Sequence, residues 1–171
     1  MRYLIKRLLL CVAAGPVLLT AGEQHAAHVH GQAQLMLATD GDLLEVMLES
    51  PAANLLGFEQ APATDAQQNA WQQQQALLKS GRWLQLPVAA QCVLQQQQLN
   101  NPWAGAGQHA DISISLSYKC TAPEVLAEVK LTLFTEAADL QRIAVQWVSG
   151  GQQGAATLSA KQPVLQLPGT E

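Results

Sequence analysis

Four histidines, His25, His28, His30 and His109, carry most of the metal-binding chemistry this 171-residue chain can offer. His28 and His30 stand two apart, so an extended backbone would aim both imidazoles to one side, close enough to share a cation. His109 and Asp111 repeat that spacing just ahead of a strand-like segment. Three neutral imidazoles and a carboxylate suit Zn²⁺. The expected metal set is therefore His28, His30, His109 and Asp111, provided that the fold brings the two pairs together. The alternative at this stage is that histidines near a chain start are solvated polar residues with no ligand. His25 lies outside the alternation. It gains interest if a mature chain begins at Glu23. A free amine, two backbone amides and an imidazole at the third position would then enclose Cu²⁺ or Ni²⁺ in a square plane. Cleavage one residue earlier removes that arrangement.

No catalytic constellation competes with the histidines. The chain has no GxSxG, P-loop, HExxH or GxGxxG, and its carboxylates are scattered singly. The expectation is a protein that is not an enzyme. Cys92 and Cys120 suggest one disulfide if the chain is exported. Closing that long loop would contribute about 3 kcal/mol, mainly by restricting the unfolded chain. A thiol metal site or a catalytic thiol is the rival, and the wide separation without a CxxC speaks against it.

Export is what the first 22 residues imply. Arg2, Lys6 and Arg7 precede the apolar run LLLCVAAGPVLL, and the small residues TAG follow it. This is the pattern of a secretory signal peptide, too short to span a bilayer comfortably. Cys11 stands at the start of the run, which argues against a lipoprotein. Residues 23–171 are then expected to form a single β-rich metal-binding domain. They hold six basic and thirteen acidic residues, a net charge of −7. That balance speaks against nucleic acid as a partner. No later apolar run reaches ~18 residues, so no membrane span is expected in the mature chain.

The elements that must position the histidines are mostly strands. Residues 32–38 alternate loosely, Asp40-Gly41 signals a tight turn, and 43–48 place Leu44, Val46 and Leu48 on one face, which predicts a hairpin. Ser50-Pro51 should stop the second strand, and 52–58 should be a packed apolar connection. Residues 64–80 form the one convincing helix, capped by Thr64 or Asp65 and followed by Gly81. Its inward stripe is Ala70, Trp71, Gln74, Leu77 and Leu78, with Trp71 as core anchor. Further strands are predicted at 82–86, 91–94, 112–120, 128–134, 143–148, 156–159 and 164–167. In 112–120 the alternation of Ile112, Ile114, Leu116 and Tyr118 with serines and Lys119 is the cleanest in the chain. Residues 100–108 read as a loop. The fold class is mostly β (or α+β): an antiparallel, sandwich-like domain with one amphipathic helix.

Four blocks, HVHGQAQLML, LLEVMLESPAANLLGFE, HADISISLSYKCTAPEVL and QWVSGGQQGAATL, occur in the order seen in the ZrgA-type family, which the chain resembles from about His28 to Leu158. The resemblance implies a periplasmic zinc-binding protein that assists a zinc ABC importer or its solute-binding protein. It maps His28 and His30 onto the family's His-x-His, and His109 with Asp111 onto its His-x-Asp. It also implies paired cysteines at Cys92 and Cys120, and it includes Asn54, Phe58 and Glu59 in its signature. Asn54 and Phe58 are expected to fix the connection after the second strand. Glu59 is a weaker ligand candidate, a solvated carboxylate being the plainer reading. One departure stands out. Zinc-importing members carry a His/Asp-rich insertion before the His-x-Asp block, whereas this chain has QQQQLNNPWAGAGQ, without a histidine before His109. The other class of function that the sequence leaves open is an envelope structural or protein-interaction module with incidental histidines.

Overall fold

The computed structural model describes residues 29–104 and 110–168. Strand outweighs helix, as the short alternating segments predict. The first hairpin follows from its alternation. Strand β1 (Gln32–Asp40) pairs antiparallel with β2 (Leu43–Pro51) around a two-residue loop, in which Gly41 takes φ +56°. A positive φ at this position matches the right-handed twist of the flanking strands. Leu35, Leu44, Val46 and Leu48 are buried, while Met36, Glu45 and Met47 face outward. After Pro51 the apolar connection winds into the short helix α1 (Ala52–Leu56), closed by Gly57 in the left-handed region.

Helix α2 (Asp65–Ser80) starts at a full capping box. The Thr64 side chain accepts from the Gln67 backbone N–H, and the Gln67 side chain accepts from the Thr64 N–H. It buries Gln74 and Leu78. Trp71 is only partly buried, so it is not the anchor that its position in the stripe suggests. The anchor is Trp83, just after the helix. It is fully buried and donates its indole N–H to the Leu78 carbonyl at 3.0 Å. The segment around it is not a five-residue strand; only β3 (Leu84–Gln85) pairs.

Strands β4 (Cys92–Leu99) and β5 (Asp111–Cys120) extend the hairpin on the β2 side. β4 runs well past Leu94, through the glutamines, as an exposed edge whose register shifts between Leu94 and Gln96. Cys92 and Cys120 are directly opposite and form a disulfide with an S–S distance of 2.02 Å. On the far side of β1 lies β7 (Arg142–Ser149), followed by β8 (Gln152–Ser159). The resulting order is β4-β5-β2-β1-β7-β8. The β1–β7 pair is parallel, in an otherwise antiparallel sheet. No hairpin joins these two strands, so nothing local forces them to run in opposite senses.

A smaller sheet orders β3-β6-β9, from β6 (Glu128–Leu131) and β9 (Val164–Gln166). The strand expected over 128–134 ends at Leu131. Leu133–Thr135 turn into a 3-10 helix that buries Leu133. One continuous core joins both sheets and α2: Leu35, Leu48, Ile114 and Ile143 from the large sheet meet Leu78, Trp83, Val129 and Leu131. Each such side chain contributes roughly 1.5–3 kcal/mol by leaving water. Among the described residues, no element covers the other face of the large sheet. No helix among the described residues is long and apolar enough to cross a membrane.

Candidate functional site

His30 stands at the lip of the large sheet, two residues ahead of β1. The Gln32 N–H donates to the Val29 carbonyl at 3.0 Å, closing a four-residue turn with His30 and Gly31 in the middle. Gly31 takes φ +76°, the value that the third position of a type II turn requires. A Cβ on Gly31 would meet the Gln141 side chain at 2.9 Å. The turn aims the His30 imidazole outward, with the side chain 82% exposed. His30 thus sits in a turn rather than in extended strand backbone.

Asn54 on α1 is what holds this turn. It is buried, and both ends of its amide are used. Its Oδ1 accepts from the Gly31 N–H at 2.7 Å, and its Nδ2 donates to the Gln32 carbonyl at 2.9 Å. The Gly31 carbonyl in turn accepts from the Gln141 and Arg142 N–H groups, both at 2.9 Å, tying the turn to the start of β7. The asparagine thus fixes the backbone beside His30 as well as the connection after β2.

Glu59 comes to the same lip from the segment after α1. Its carboxylate Oε1 lies 3.9 Å from His30 Nε2, and its side chain is about one-third exposed. Two atoms each about 2.1 Å from a tetrahedral zinc ion stand about 3.4 Å apart. The pair therefore needs to close by only about half an ångström to share one ion. An aromatic cluster holds the Glu59 backbone. Trp103 donates its indole N–H to the Glu59 carbonyl at 2.8 Å, stacks on Phe58 at 6.4 Å between centroids, and meets Trp71 edge-on at 5.1 Å. Partly exposed Trp71 belongs to this cluster.

The start of β5 is fixed by a second asparagine. Asn100 Nδ2 donates to the Asp111 carbonyl at 2.8 Å, and its Oδ1 accepts from the Ser113 N–H at 2.7 Å. Asp111 pairs with Pro51, and Ala52 N–H donates to the Ala110 carbonyl at 2.8 Å. β1 and β5 flank β2 and both begin at this end of the sheet. Two strand spacings, roughly 10 Å, separate them. The fold thus starts both strands at one rim, with His30 just ahead of β1 and Asp111 opening β5.

Of the expected ligands, His30, Glu59 and Asp111 are described, and the first two are in reach of each other. His25, His28 and His109 lie outside the described residues. Among the described residues no group of three His, Cys, Asp or Glu side chains is gathered. Sequence reasoning passed over Asn100 and Trp103 as parts of a loop. An asparagine and a tryptophan inside a Gly/Pro-rich stretch were the available signal, since neither is needed merely to turn the chain.

The sequence model of the ZrgA family zinc uptake proteins matches residues 27–167, and the chain belongs to that family. No curated protein matches the chain.

Proposed function

We propose that this member of the zinc uptake family captures Zn²⁺ at the His30 rim and passes it toward a zinc importer. The observation that carries the reading is the approach of His30 to Glu59, 3.9 Å apart on a turn and a segment that are each pinned from behind. An imidazole nitrogen and a carboxylate oxygen are zinc ligands, and the ion here is cargo. His28 is two residues from His30, and His109 is two from Asp111. Both are proposed to complete the shell, with Asp111 as a ligand or as a hydrogen-bond partner to one. In this reading residues 1–22 export the chain, residues 23–171 act as one periplasmic domain, and the importer or its solute-binding protein receives the metal. Capture and transfer need no catalytic step.

The test is calorimetric titration of metal-free mature protein with Zn²⁺ at pH 7.5. One ion per chain is expected, with affinity weakened at least about tenfold by Glu59→Gln and lost in the His28→Ala/His30→Ala variant. Histidine ligands bind as neutral imidazoles, so binding should also weaken as the pH falls below about 6. Absence of zinc heat from the wild type, or equal affinity in the double variant, would sink the reading. A second reading, an envelope interaction module, draws on the uncovered face of the large sheet, where Met36 and Met47 are 48% and 37% exposed.

A further inference from the structure

The uncovered face of the large sheet has a shape and a charge pattern of its own. Met36 on β1 and Met47 on β2 are cross-strand partners at its centre. Val148, itself 48% exposed, stands beside them on β7. Together with Gln146 and Ala155 they line a shallow trough of about 740 Å³. Contiguous apolar surface of this kind on a monomer marks a contact site more often than not.

The two halves of the face differ in charge. On the β2–β5 half, Glu45 and Glu49 point outward, with Asp111 at the end of the same face. Glu45 is held on its own half by a 2.7 Å hydrogen bond from Ser117 Oγ, and Lys119 on that half is paired with Asp42 at 3.2 Å. The β1–β7 half presents Gln34, Ala38 and Gln146, with Arg142 at the end; its acid is Asp40, at the hairpin tip. The register makes the two halves correspond level by level. Met47 is opposite Met36; Ser115, beside Met47, matches Gln146, beside Met36.

We infer that this face packs against the same face of a second copy, around a two-fold axis parallel to the strands between β1 and β2. That operation lays Met36 of one copy on Met47 of the other. It sets each acidic half on the other copy's acid-poor, arginine-bearing half, so that glutamates meet neutral side chains. A two-fold contact of this kind is closed and self-complementary. Six strands of about 8–10 residues span about 800 Å² of projected face, the area each partner of a stable interface contributes. Sheets packed face to face cross at about 30°; tilting the axis about 15° from the strand direction gives that angle and keeps the central methionines in contact.

The experiment is sedimentation velocity of the mature wild-type protein from about 5 to 200 µM. A concentration-dependent dimer is expected. Met47→Glu should raise its dissociation constant by at least about thirtyfold, because it buries a charge facing apolar atoms. Circular dichroism melting of this variant reports that the monomer is still folded. Ser115→Cys and Gln146→Cys lie three strands apart within one chain, too far for an internal bridge. Mixed, they should be joined into a heterodimer by a short bis-maleimide of about 8 Å reach, which matches the spacing of opposed residues on stacked sheets, more readily than either is joined to itself. A monomer at every concentration overturns the inference and leaves the face to a different protein. A dimer that survives Met47→Glu, or bridges Ser115→Cys to itself preferentially, also overturns it, since either places the contact elsewhere.

Discussion

At its Cys120 end, β5 is fastened by a covalent bridge to β4; at its Asp111 end it is fastened by a primary amide. Around Cys120 the holding groups are hidden: Tyr118 is buried and donates its hydroxyl to the Gly81 carbonyl, two residues before the fully buried Trp83. Around Asp111 and His30 the holding groups are Asn54, Asn100 and Trp103, which grip backbone and leave the neighbouring His30 and Glu59 side chains facing out. In the proposed reading one end serves stability and the other placement: a side chain that is to meet an ion cannot also be packed, and the peptide units beside it are secured instead.

That contrast can be broken from either end. The largest effect should come from Trp83→Ala, about 4 kcal/mol of stability by urea unfolding, with zinc affinity of the folded fraction unchanged. Cys92→Ser/Cys120→Ser should cost about 3 kcal/mol and likewise spare zinc binding. Asn54→Ala should cost about 2 kcal/mol, because the buried Gly31 N–H loses its acceptor. Unlike the first two, it should also weaken zinc binding about tenfold, as read by calorimetry. If Asn54→Ala lowers stability and leaves affinity untouched, the division of labour is wrong. The smallest effect concerns Tyr118, whose pKa burial pushes up to about 12. The neutral phenol is favoured by folding, so this contribution is whole below pH 10 and fades as the pH rises toward 12. Wild-type stability should fall by about 1–2 kcal/mol over that window, and Tyr118→Phe should flatten the fall.

Period-2 segments were legible because burial of one face writes itself into the sequence. The β1–β2 hairpin and β5 follow from Leu44, Val46, Leu48 and the Ile112–Tyr118 alternation, and α2 follows from Thr64 and Gly81. Elements without a buried face were harder. The glutamines of β4 lie on an exposed edge, where no alternation is required, so the pattern predicts a strand only as far as Leu94. Strand partners are not written locally either, which hid the parallel β1–β7 pair. At the candidate site, His30 and Glu59 were legible as residue types. The turn at Gly31 and the grips of Asn100 and Trp103 were not, because each depends on atoms far along the chain.

The parallel pair sets an order of events. β1 meets β7 about 110 residues later in the chain, as the bond from Thr39 to Ser149 also records. A chain delivered N-terminus first can zip β1, β2 and β5 once Cys120 has emerged. The far edge of β1 must wait for Ser149. Contacts of such separation slow the final closure. During that wait β1 offers a row of unpaired peptide groups beside Met36, the template most open to a second unfinished chain. The strands after Arg142 are thus the seal that ends the vulnerable stage of its folding.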